Sequence, residues 1–129
     1  MHIFLEKDIL HDLEKSSEIE WLEKNKYNLY SSSTCIGMNT RREHGLFVVP
    51  DNSLKKQVVL LSKFEESIFL ENKLHEISTN SYQSGIFPTG YQYLASFKMN
   101  PFPNFTFEIE NRKIQKTVFL SSDLPKLMI

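Results

Sequence analysis

Along most of the chain, apolar and polar residues alternate in short blocks instead of recurring every three or four positions, so strands dominate the expected structure. The clearest case is Phe105, Phe107 and Ile109, which alternate with Thr106, Glu108 and Glu110. That period of two sends one set to a core and the other to water, and Asn111-Arg112-Lys113 then turns the chain into Ile114–Leu120. Ser67–Leu70 and Leu74–Ile77 flank Glu71-Asn72-Lys73 as a second predicted hairpin. Further strand-forming segments lie at about 34–38, 44–49, 57–62 and 91–97. Ser31–Thr34, Pro50–Ser53, Phe87–Gly90 and Asn100–Pro103 read as polar or proline-marked turns and loops. Only residues 5–15, through Leu5, Ile9, Leu10 and Leu13, carry a helix-like spacing, with short strands as the alternative there. The pattern predicts a mainly β fold, an antiparallel β-sandwich with little helix, in one domain spanning residues 1–129.

Ile114–Leu120 is apolar on both faces, which predicts a central strand. Few residues follow it, and Pro125 limits what they add, so residues 121–129 are expected to form a poorly ordered tail. A central strand without neighbours implies pairing across a homodimer, or that the chain is the front part of a larger domain.

Composition narrows the function classes. The net charge is −1 and the basic residues are dispersed, which argues against nucleic acid as a partner. The longest apolar run is about five residues against the roughly 20 needed to cross a bilayer, so no membrane role is expected. A single cysteine, Cys35, and an N-terminus that meets acidic residues early point to the cytoplasm. His2, His11 and His75 lack metal-ligand spacing, so neither a metal nor another cofactor is expected, and Cys35 has no partner for thiol chemistry. Tyr82, Tyr91, Tyr93, Phe87 and Phe97 read as core and loop-anchoring residues.

The candidate chemistry lies in Met38–Val49, where Asn39, Arg41, Arg42 and His44 place hydrogen-bond donors directly before Gly45 and an apolar strand. The ligand-binding reading is a sugar-hydroxyl or domain-docking site; the structural alternative pairs an arginine with Glu43, Glu65 or Glu66 and ties His44 to the backbone. Trp21, Tyr27 and Tyr30 are candidates to stack on a pyranose ring, with a core position as the alternative for Trp21. No opposed carboxylate pair is evident, since Glu65 and Glu66 are adjacent and neighbours on a strand point apart, so no catalytic residue is assigned. A small hydrolase built on His44 and Glu43 lacks a nucleophile or orienting partner.

Several words in series carry a resemblance: Asp8-Ile9-Leu10, Glu20-Trp21-Leu22, Asn25, Thr34, Gly37, Asn39 through Leu46, and Leu60 through Glu66. Asn80-Ser81-Tyr82, Pro88-Thr89-Gly90-Tyr91, Phe97, Pro101 with Pro103, and Lys116 through Phe119 continue it. In this order and spacing they resemble the N-terminal domain of bacterial and archaeal glycogen debranching enzymes. The resemblance implies part of a galactose-mutarotase-like β-supersandwich that precedes an (α/α)6 barrel carrying the catalytic acids. It further implies a non-catalytic role in glycogen metabolism, with α-glucan or the catalytic domain as partner. Where the family has a glycine-rich loop, Lys26–Ser33 contains no glycine, and Asn28 is the residue best suited to the left-handed conformation there. The competing function is a structural or assembly protein that uses an exposed sheet edge.

Overall fold

The computed structural model describes residues 2–129. In chain order the first half comprises β1 (Ile3–Glu6), α1 (Lys7–Leu10), α2 (Leu13–Ser16), β2 (Glu20–Lys24), β3 (Tyr30–Thr34), β4 (Gly45–Asp51) and β5 (Lys56–Leu61). The second half comprises β6 (Ser67–Leu70), β7 (Lys73–Glu76), β8 (Thr79–Tyr82), β9 (Gly85–Thr89), a 3-10 turn (Gly90–Tyr93), β10 (Leu94–Met99), β11 (Pro103–Ile109), β12 (Arg112–Thr117), β13 (Phe119–Leu120) and β14 (Leu127–Met128). Two four-stranded antiparallel sheets, ordered β1-β10-β11-β12 and β2-β3-β4-β5, make up the body, with hairpins β6-β7, β8-β9 and β13-β14 around them. The architecture is therefore mainly β and sandwich-like, as the alternation predicts.

The core lies between the two sheets. Phe105, Phe107 and Ile109 of β11 are buried together with Phe97 of β10, Trp21 of β2 and Leu46 of β4. Burying such side chains stabilises by roughly 1.5–3 kcal/mol each. Both hairpin turns expected from sequence are two-residue turns with positive φ at a Glu-Asn pair, Glu71 (52°) with Asn72 (59°) and Glu110 (50°) with Asn111 (61°). Two successive positive φ values match the right-handed twist of the flanking strands, so β12 begins at Arg112, earlier than the sequence reading placed it.

Several local expectations are corrected. Residues 5–15 do not form one helix, because Ile3–Glu6 pairs with β10 and leaves only the four-residue helices α1 and α2. Helices this short do not sustain themselves, and α2 is capped by Asp12, whose carboxylate accepts from Lys15 N–H at 3.2 Å. Ser31–Thr34, expected as a turn, is the buried part of β3. Three of its four hydroxyls are bonded internally, Ser32 Oγ to the Trp21 carbonyl at 2.8 Å, Ser33 Oγ to Asn39 Oδ1 at 2.7 Å and Thr34 Oγ1 to the Met38 carbonyl at 2.8 Å, which makes a polar strand tolerable in the interior, while Ser31 Oγ is buried without a partner. The turn falls instead at 35–38, where Gly37 has φ 73°.

Ile114–Leu120 is not a central strand: β12 pairs only with β11, and the chain leaves the sheet at Val118. The free flank of β12 faces the Glu65–Ile68 segment, to which Lys116 is tied by an ion pair with Glu66. Residues 121–129, expected as a loose tail, are built into the fold: β14 pairs with β13, and Asn25 Nδ2 donates to the carbonyls of Ser121 (3.2 Å) and Leu124 (3.3 Å). Tyr82 and Phe87, read as anchoring residues, are exposed, whereas Phe97 is fully buried.

Candidate functional site

Strand alternation directs Trp21 into the core and turns Glu20, Leu22 and Lys24 to the outer face of β2. Opposite them on β3 stand Thr34, Ser32 and Tyr30, and Ser32 is itself in register with Gly45 of β4. These small residues keep the middle of the outer face low. A Cβ on Gly45 would lie 2.8 Å from Val48 Cγ2 and 2.9 Å from Val59 Cγ1, so glycine is required by close packing. The result is an open groove of about 750 Å³, lined among others by Glu20, Leu22, Tyr30, Ser32, Arg41 and Glu43.

The 39–44 loop forms one wall, and its geometry centres on Glu20. Arg41 grips that carboxylate in a fork, Nε donating to Oε1 at 2.7 Å and Nη2 to Oε2 at 3.1 Å. His44 is buried behind it, with Nε2 2.8 Å from Glu20 Oε1 but off the N–H axis, so the contact is close without being an aligned hydrogen bond. The backbone N–H groups of Thr40 and Arg41 donate to His44 Nδ1 at 2.9 and 3.3 Å. Nδ1 is therefore unprotonated, and the neutral ring carries its proton on Nε2, facing Glu20.

Electrostatics agree with this assignment. Burial pushes the His44 pKa below its ordinary value, against the opposing pull of Glu20, so the ring is neutral near pH 7. Partial burial raises the Glu20 pKa, but the hydrogen bond from Arg41 and the Arg41 charge, joined by His44 at acid pH where its ring is protonated, outweigh it and hold the carboxyl below its usual range. Tyr30 Oη donates to the Glu43 carbonyl at 2.8 Å, and burial raises its pKa, helped by the Glu43 charge.

The sequence-predicted residues separate accordingly. Arg41, Tyr30 and Trp21 are among the residues that line the groove; His44 and Asn39 support it from behind. Asn39 accepts from Ser33 Oγ at 2.7 Å and donates to the Ser62 carbonyl and hydroxyl at 3.2 Å, fastening the loop to β3 and to the end of β5. Trp21 does not present its ring for stacking: it is 1% exposed, its indole N–H donates to the Thr34 carbonyl at 3.0 Å, and its ring meets Phe105 edge-on. Arg42 is exposed and forms no ion pair among the described residues. Tyr27 is exposed at a different place, donating from Oη to the Asp123 carbonyl at 3.1 Å. Asn28 has φ 62°, the left-handed conformation expected of it, and lies at one end of the groove.

Glu20 is the residue that sequence reasoning passed over, although it stands beside Trp21 in Glu20-Trp21-Leu22 and alternation alone puts it on the opposite face. A second missed hub is Lys63, whose half-buried ammonium donates to the carbonyls of Thr79 (2.8 Å) and Gly37 (3.4 Å) and to Asn80 Oδ1. Asn80 in turn donates to Glu65 at 2.8 and 3.0 Å, so Lys63–Glu66 is a structural joint between sheet and hairpin. His11 and His75 are likewise tied down across the fold, to the Leu94 carbonyl and the Tyr93 hydroxyl. No group of three or more metal-ligating side chains comes together among the described residues, and no helix is long and apolar enough to cross a membrane.

Residues 19–129 match the family model described as glycogen debranching enzyme N terminal. No curated protein and no solved structure matches the chain. The family match takes in both sheets except β1, together with every residue that lines the groove, and on it the chain belongs to the glycogen debranching enzyme N-terminal family.

Proposed function

We propose that this chain is a non-catalytic module that supports or binds α-glucan through the groove over β2 and β3. The observation that carries the reading is the lining: donors and acceptors of both signs surround an exposed Leu22 in an open trough of about 750 Å³. Such a lining suits a neutral polyhydroxylated chain, which presents both hydroxyls and apolar C–H faces. A catalytic role draws no support from the same groove. Glycoside hydrolysis needs one carboxyl group kept protonated, and Glu20 is held ionised by Arg41. Glu23, the carboxyl whose pKa is pushed up to about 7, lies three residues further along β2, an odd offset that points it to the other side.

The test is titration of the protein with maltoheptaose, followed by backbone amide shifts and by calorimetry. The reading expects saturable shifts confined to β2, β3 and the 39–44 loop at millimolar sugar, with no glucose released from branched glucan. Shifts elsewhere, or none, would overturn it.

A second reading, assembly through a sheet edge, is favoured by β5, which pairs only with β4 and exposes Val59 (39%) and Leu60 (61%). It takes the place of the 114–120 edge expected from sequence, whose flank faces Glu65–Ile68. Light scattering that finds a monomer at high protein concentration would eliminate it.

A further inference from the structure

We propose that the Glu20–Arg41 pair is a reader of vicinal hydroxyls, the element of the groove that recognises two neighbouring oxygens on one sugar ring. The inference rests on the reading of the groove as a glucan surface and names the chemistry of its contact.

The fork leaves unused valences side by side. Arg41 has five N–H bonds, of which Nε–H and one on Nη2 are directed at Glu20. The nearest acidic oxygen to Nη1 is Glu43 Oε2 at 3.9 Å, too far for a hydrogen bond. Glu20 Oε1 is shared between Arg41 and His44, whereas Oε2 meets Arg41 alone. Oε2 therefore keeps a lone pair and Nη2 an N–H that the fork does not use, on atoms 3.1 Å apart, with both side chains lining the groove. That spacing is close to the separation of two equatorial hydroxyl oxygens on adjacent ring carbons. One hydroxyl donates to Oε2 while its neighbour accepts from Nη2, and both contacts are charge-assisted.

The pair is also selective by charge. Glu20 disfavours an anion, Arg41 disfavours a cation, and a neutral diol satisfies both without displacing either. Its orientation is set before any ligand arrives: His44, buried and fixed by two backbone N–H donors, stands directly behind Oε1. Less ordering is then required on binding. Exposed Leu22 on the same strand face offers an apolar contact for the ring's C–H surface, above the low floor at Ser32.

The experiment compares maltoheptaose with maltoheptaose methylated at O2 and O3, each titrated into the wild-type protein and into Glu20→Gln, Arg41→Gln and the swapped double variant Glu20→Arg with Arg41→Glu. Loss of charged hydrogen bonds is expected to weaken native-sugar binding roughly tenfold or more in each single variant, and methylation to do the same in the wild type. The swapped pair is expected to recover part of the loss. Where a variant at Glu20 unfolds because His44 loses its neighbour, the methylation comparison decides the matter on wild-type protein alone. Saturable groove binding that ignores methylation would overturn the diol proposal and leave the glucan reading standing. No binding of either sugar by the wild type would overturn both.

Discussion

Trp21 and Phe105 join the two sheets, their ring centroids 6.5 Å apart at an interplanar angle of 70°. The indole N–H has its partner within its own sheet, in the Thr34 carbonyl, so the ring fills the interior without leaving a polar atom unsatisfied. Trp21→Ala is therefore expected to destabilise by about 3–5 kcal/mol, through lost burial and the cavity left behind. Trp21→Phe should cost less, because the Thr34 carbonyl keeps the Gly37 N–H at 2.9 Å when the indole donor is lost. Urea unfolding monitored by circular dichroism measures both. The same burial makes Trp21 fluorescence blue-shifted in the folded protein, so a native emission maximum like that of indole in water would contradict the packing described.

Gly90 is fixed by contact. A Cβ placed there would stand 2.1 Å from the carbonyl carbon and oxygen of Ile77, backbone atoms that cannot swing aside. Gly90→Ala should cost at least about 3 kcal/mol, or prevent folding, at the upper end of overpacking effects. Gly85 is the contrast. It has φ 131° with nothing within 4 Å of the added carbon, so Gly85→Ala carries only backbone strain, about 1–3 kcal/mol. Thermal unfolding of the two variants, compared side by side, should rank Gly90 well below Gly85; equal losses would show that the close approach to Ile77 is wrong.

The same contrast marks what the sequence can disclose. The β11-β12 hairpin was legible because Phe105, Phe107 and Ile109 alternate with polar neighbours, and the Glu-Asn turns because asparagine accepts positive φ. Ser31–Thr34 was not, since whether four hydroxyl residues turn or pair depends on the acceptor that β2 brings at Trp21 and on the 35–38 turn that brings back the Met38 carbonyl, which local propensity does not register. The greasy run at Ile114–Leu120 misled for a related reason: Val118 and Leu120 are buried beyond the end of β12, not inside a central strand. At the site, Arg41 and His44 stood out by residue type, yet the carboxylate that organises both lies about twenty residues earlier and is assembled by tertiary structure alone.

Cys35 offers a check on the core that does not depend on the groove. Its thiol is fully buried, Sγ lies 3.3 Å from the Ser16 carbonyl, and burial pushes its pKa up to about 12. The thiolate that reacts with disulfide reagents is thus almost absent at neutral pH, and access is closed as well. A colorimetric aromatic disulfide should react with less than one thiol per chain in native protein over hours, and with one upon addition of denaturant. Rapid stoichiometric labelling of the native state would show the Ser16–Cys35 contact to be open.

Glu23 gives the sharpest dependence on pH. It sits on β2 beside the 119–124 segment, accepts from the Leu120 backbone, and has one oxygen buried without a partner. Burial raises its pKa from 4.5 to about 7, with the Leu120 hydrogen bond opposing only in part. Because the folded value exceeds the unfolded one, the folded state holds the proton more tightly. The stability this confers is present below about pH 4.5 and is lost as pH rises to about 7, a change of roughly 3 kcal/mol at about 1.4 kcal/mol per pKa unit. Glu23→Gln, neutral throughout, should match the wild type near pH 4.5 and exceed it in stability above pH 7. The quantity to measure is the difference in unfolding free energy between variant and wild type from pH 4.5 to 8, since His44 adds its own dependence to the absolute curve below about pH 6.5, where charging the buried ring costs stability in both proteins alike. A flat difference across that range would mean that Glu23 reaches solvent in the folded state and that the 119–124 segment does not close over it.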